Sequence, residues 1–129
     1  REFTDKIADA KHRINKILYS ESFLTHKNGY KICLRVDLGG NGNHKGTHLS
    51  VFFCLMKSQF DDILEWPFRH SVTFALINQQ TRLAHVSWTM KYANNPNCQA
   101  FFQPTDRNVG FGNSQFISLN EFSSNPDLM

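Results

Sequence analysis

From residue 30 onward, apolar and polar side chains alternate with a period of two, and this pattern limits what the chain can become. Tyr30, Ile32, Leu34, Val36 and Leu38 fall on one side of an extended backbone, and Lys31, Cys33, Arg35 and Asp37 on the other. After the loop GGNGNHKG at 39–46 the alternation resumes through 47–56. Leu49, Val51, Phe53 and Leu55 share one face, and His48, Ser50, Phe52 and Cys54 the other. Two half-buried strands joined by a Gly/Asn-rich loop predict a hairpin.

The rest of the chain reads in the same terms. Residues 61–68 predict a short turn of helix closed by Trp66 and Pro67. The apolar run 72–77 suits a central strand. Residues 82–92 alternate again, with Ala84, Val86, Trp88 and Met90 together, and 93–97 form a loop. Further strands are expected at 99–103 and 114–119, on either side of a loop holding Gly110 and Gly112. Twelve phenylalanines favour strands, because aromatic rings pack well on a pleated, half-buried surface. Short strands separated by turn signals predict an all-β fold, an antiparallel β-sandwich. Only residues 4–18 read as a helix of useful length. Thr4 is placed to cap, and Ile7, Ala10, Ile14, Ile17 and Leu18 lie at helical spacing. No linker divides the 129 residues, a length that fits one domain.

Charge and cysteine usage narrow the function classes. A net charge of +3 with no concentrated basic stripe gives no nucleic-acid footprint. Cys33, Cys54 and Cys98 are odd in number and form no C-x-x-C pair, which points to a reducing compartment rather than a disulfide framework. The glycine-rich stretch at 39–46 ends in Lys45, Gly46 and Thr47 but leads into a strand, so the helix N-terminus that a phosphate loop needs is missing. His44 and His48 flank a loop-to-strand junction and would face one metal only on a helix. No nucleophile elbow or paired carboxylate geometry is present, so neither an enzyme, a metal nor a cofactor is expected.

One face stands out. If 30–38 pairs with 47–56, Arg35 and Phe52 both lie on the face opposite the core. An aromatic ring beside a guanidinium is the composition of a peptide-binding hot spot; the alternative is that a loop or the partner sheet covers Phe52.

These residues also carry a family resemblance. GYKICLRVDLGGNGNHKGTHLSVFF (29–53), LEWPFRHSVTFALINQ (64–79), and FQPT, GFG and QFISL in order between 102 and 119 resemble the C-terminal, or MATH, domain of the tumour necrosis factor receptor-associated factors. The THK-x-GYK start, the LEWPF stretch and the GFG ending are most like the fourth and sixth members. The resemblance implies a sandwich of seven to eight strands, here a single domain over 1–129 without the family's first and last strands. It implies a cytoplasmic signalling adaptor, a homotrimer extended by an upstream coiled coil, with any membrane contact indirect or peripheral. Such a module binds the cytoplasmic tail peptides of receptors or adaptors, in tumour necrosis factor receptor or Toll/interleukin-1 type signalling, by adding the peptide as an extra edge strand. The alternatives are substrate recruitment for a ubiquitin ligase, or a trimer surface that binds lipid headgroups.

Carried over by position, the resemblance makes Arg35 a ligand contact, Phe52 a groove aromatic, and Gly110, Phe111, Gly112 and Asn113 the edge that pairs with the peptide. Phe111 would offer its ring to an aromatic ligand residue with Arg35 stacking nearby. Met90 and Phe101 would form the groove wall. Asp37 replaces a tyrosine common in the family and is placed to pair with Arg35. Cys98, Gln99 and Ala100 stand where several members have three serines, which favours an acidic-plus-aromatic peptide over a glutamine-containing one.

Overall fold

The computed structural model describes residues 17–95 and 97–125. Among these residues seven strands form two antiparallel sheets, the expected sandwich. The larger sheet contains β1 (Ile17–Tyr19), β2 (Phe23–Leu24), β3 (Lys31–Asp37), β4 (His48–Met56) and β7 (Phe111–Ser118). Its order is β1-β3-β4-β7, and β2 also pairs with β3. The second sheet is the pair β5 (Val72–Ile77) and β6 (Ala84–Met90). A single short helix follows β7, α1 (Leu119–Ser124), whose first turn is capped by the Ser118 hydroxyl accepting from the Glu121 amide. No helix among the described residues is long and apolar enough to cross a membrane.

The hairpin is in the register that the alternation requires. Ile32 faces Leu55, Leu34 faces Phe53 and Val36 faces Val51, so their side chains share the inner face. Phe74 from β5 and Met90 from β6 meet this face, and Phe53, Phe68 and Phe101 are almost wholly withdrawn from solvent at its centre. The connection at 39–46 closes through the Gly46 amide donating to the Gly39 carbonyl. Gly40, Gly42 and Gly46 all have positive φ in this loop, a conformation that side chains resist, which explains its glycine content.

Several expectations need correction. The helix over 4–18 falls mostly outside the described residues, and its last two positions, Ile17 and Leu18, are strand. They pair with Asp37 and Val36, so tertiary pairing outweighs helical spacing there. The run 72–77 is not central. Among the described residues β5 pairs only with β6, and Thr73 and Ala75 are exposed, because a continuous apolar run does not by itself reveal which face is covered. Residues 99–101 are a 3-10 turn rather than a strand, which tucks Ala100 and Phe101 inward. β7 starts earlier than expected, at Phe111, and gives way to helix at Leu119.

The narrow second sheet leaves part of the inner face uncovered. A cavity of about 850 Å³ opens there, with Leu34, Val51, Phe74, Phe116 and Phe122 among its lining residues. Its lining is chiefly apolar.

Candidate functional site

The outer face of the larger sheet brings the predicted residues together. Arg35 and Phe52 are direct cross-strand partners, and the guanidinium carbon sits 5.2 Å from the centroid of the Phe52 ring. Strand alternation alone puts both side chains outward. Arg35 is also held by Asp37, two residues along the same face. Its Nε donates to Oδ1 at 2.7 Å and a terminal nitrogen donates to Oδ2 at 2.8 Å, a two-point grip. Asn41, from the glycine-rich loop, donates to the same Oδ2 at 3.0 Å. The hydrogen bond to Asp37 is the main reason the Arg35 pKa rises above its ordinary value, and burial opposes it. Asp37 is 2% exposed, so the pair is anchored from beneath.

β7 forms the border of this face. It is the terminal strand of the sheet path, paired with β4 on one side. Gly112 lies opposite Phe52 in such close contact that a Cβ there would sit 1.8 Å from the Val51 carbonyl oxygen. A Cβ at Gly110 would lie 3.1 Å from the Phe52 Cβ and 3.4 Å from the Cys54 sulfur. Glycine at both positions lets the edge strand lie flat against β4. Asn113 is the last regular pair before a bulge, where its Oδ1 accepts from the Gln115 amide and the Ser50 hydroxyl donates to the Ser114 carbonyl.

Four of the nine candidate residues turn away from the outer face, Asn113 among them because it opposes inward-facing Val51. Met90 and Phe101 are 1% and 0% exposed and belong to the core, where they present no surface to a ligand. Phe111 is half-buried and opposes Phe53 on the inner face, with its ring 5.1 Å from that of Phe101. Arg35 stacks on Phe52 rather than on Phe111.

Sequence reading missed a second cationic contact. The Arg107 guanidinium lies 4.6 Å from the centroid of the Tyr19 ring. Arg107 is bridged to Met56 at the end of β4, while Tyr19 sits on β1 opposite Arg35. Its side chain therefore crosses the outer face over β3. The signal was hidden because Tyr19 adjoins a segment that reads as helix and Arg107 sits in a loop.

The fold is an antiparallel β-sandwich whose outer face sets an aromatic ring and a guanidinium near a sheet edge. Comparison with known proteins supplies the family. Residues 15–127 match the TRAF/meprin, MATH domain family, and the chain belongs to it. It is 39% identical to mouse TNF receptor-associated factor 5 over 102 residues, 78% of this chain and 18% of that protein. It is 51% identical to mouse TNF receptor-associated factor 1 over 65 residues, 50% of this chain and 16% of that protein. Identity to Xenopus tropicalis TNF receptor-associated factor 6 is 30% over 106 residues, 80% of this chain and 19% of that protein. A solved structure of Notothenia coriiceps TRAF5 superposes with a TM-score of 0.80 at 31% identity, covering all of this chain and 66% of that one. The chain thus spans less than a fifth of the curated relatives it matches.

Proposed function

We propose that this domain is a non-catalytic signalling adaptor module that captures an extended peptide along the outer edge of β7. The observation that carries the reading is the position of the Arg35–Phe52 pair directly beside that terminal strand. A peptide laid on the edge would satisfy main-chain groups by β-addition and set alternate side chains over the outer face. Phe52 offers an apolar platform, and Arg35 a planar cation already fixed in direction by Asp37. That chemistry suits an acidic residue followed by an aromatic one.

The ligand class we propose is the cytoplasmic tail of a receptor or adaptor, in a homotrimeric cytoplasmic protein with an upstream coiled coil; the relatives' names, which say receptor-associated, support the receptor part of this reading. A particular likeness to the fourth and sixth members remains part of this proposal, resting on the GFG and LEWPF stretches. So does the reading of 1–129 as one domain.

Titration of a fluorescent peptide carrying Pro-x-Glu-x-x-aromatic tests the site. Arg35→Ala or Phe52→Ala is expected to weaken binding by about 1–3 kcal/mol, the loss typical of a hot-spot side chain. Equal affinity in both variants and the unaltered chain would overturn the assignment.

A further inference from the structure

Beneath the same outer face, β3 and β4 place Cys33 and Cys54 directly opposite each other. Both are 3% exposed. The pairing type follows from the neighbouring residue. The Leu34 amide and carbonyl both bond to Ser20, on the β1 side, so those of Cys33 point toward β4. A hydrogen-bonded antiparallel pair has its Cα atoms about 5.5 Å apart, inside the range that a disulfide spans. The Cys33 thiol is close enough to act on Cys54, adding to burial in raising its pKa.

A defined piece of chain covers them. Segment 106–110 is tied to the end of β4 by the Lys57 amide donating to the Asp106 carbonyl and the Asn108 amide donating to the Leu55 carbonyl. The Asn108 side chain fastens it further, donating to the carbonyls of Ala100 and Phe102. A Cβ at Gly110 would lie 3.4 Å from the Cys54 sulfur, and the Arg107 guanidinium, which reaches the Tyr19 ring, is near enough to act on the Cys54 thiol. Val109, within the cover, is exposed, so its attachment depends on these hydrogen bonds more than on apolar burial.

We propose that Cys33 and Cys54 are an oxidant-modification site, a cross-strand dithiol that a hydroperoxide closes to a disulfide when segment 106–110 lifts. At rest the site is inert, because burial pushes the Cys54 thiol up to about 11 and keeps it protonated. Lifting the cover readmits water and removes that largest cause. The influence of Arg35, which lowers the same pKa and sits on β3 outside the lifted segment, acts on the opened site as well. The Cys54 thiolate then attacks the peroxide, breaking its O–O bond and becoming a sulfenic acid with release of hydroxide. The Cys33 sulfur displaces water from that sulfenic acid. The balance is two thiols and one hydrogen peroxide to one disulfide and two waters. Opposed Cβ atoms start farther apart than a relaxed disulfide prefers, so the bond is strained and readily reduced.

The test treats the chain with hydrogen peroxide, blocks free thiols under denaturing conditions and maps non-reduced peptides by mass spectrometry. The expected product links Cys33 to Cys54, leaves Cys98 out of the bond and disappears on treatment with dithiothreitol. Asn108→Ala is expected to close about tenfold faster, since it removes two hydrogen bonds from the cover. Urea below the unfolding midpoint is expected to do the same to the unaltered chain. In Cys33→Ser, a sulfenic acid trapped by dimedone is expected at Cys54. Recovery of both cysteines as free thiols, or bonds made chiefly to Cys98 or between chains, would overturn the proposal. A closure rate indifferent to both Asn108→Ala and urea would overturn the covering role of 106–110.

Discussion

Asp37 holds Arg35 through both carboxylate oxygens, and it does so from a position nearly without solvent, while the guanidinium lies over Phe52 at the surface. The arginine is thus aimed and partly neutralised at once. An anionic ligand has to share it with a carboxylate that is already in place.

Replacing that carboxylate separates the two effects. Asp37→Asn keeps the shape and an acceptor while removing the charge. An acidic peptide is expected to bind it several-fold more tightly, opposite in sign to Arg35→Ala, in the same fluorescence titration. Stability is expected to fall by about 1–3 kcal/mol in urea unfolding, because charge-assisted hydrogen bonds to Arg35 are weakened in a partly exposed setting.

Gly112 tests the edge itself. Any Cβ there meets main-chain atoms of Val51 and Phe52, which have no freedom to move aside within a strand. Gly112→Ala is expected to lower stability by roughly 1–3 kcal/mol, the range for overpacking, and to weaken peptide binding by displacing β7. Unchanged unfolding and unchanged binding together would show that the strand edge lies farther from β4 than described.

Core and groove roles can be told apart at Phe101 and Met90. With Phe101 fully enclosed against Phe53, Phe111 and Tyr92, Phe101→Ala is expected to lose about 3–5 kcal/mol of stability. Met90→Leu conserves volume, so it is expected to change stability by less than about 1.5 kcal/mol. Its peptide affinity is expected to match the unaltered chain. A clear affinity change in a folded Met90→Leu protein would return that residue to the groove.

The Cys54 thiol gives a pH signature. Its pKa in the folded chain is raised from 9.0 to about 11, so the folded state holds the proton more tightly than the unfolded state. Its contribution is fully present below pH 9 and is lost as pH rises from 9 to 11. Urea unfolding at pH 8 and pH 10.5 is expected to show a loss on the order of 2 kcal/mol from this group, absent in Cys54→Val. Equal pH dependence in both proteins would remove the assignment to Cys54.

Much of the sheet was legible because β-structure writes a period of two into the sequence wherever one face is buried. The β3–β4 hairpin, its register and the outward placement of Arg35 and Phe52 all follow from that alternation. Local patterning failed where burial comes from distant chain. Ile17 and Leu18 read as helix but pair with β3, and the apolar doublet at 100–101 read as strand but turns inward to fill the core. Family likeness placed Met90 and Phe101 in the groove wall, whereas the packing of the two sheets puts them inside.

The sequence by itself determined the sandwich, the hairpin and an outer face bearing an arginine beside a phenylalanine, since these depend on side-chain alternation along single strands. The tertiary structure decided what that face can do. Only strand order makes β7 the border beside Phe52, and only the fold of a remote loop carries Arg107 across β3 to Tyr19. Cys33 and Cys54 lie 21 positions apart, and what seals them is a segment more than 50 residues further along the chain. Such contacts arise from packing between elements, which no pattern within one element encodes.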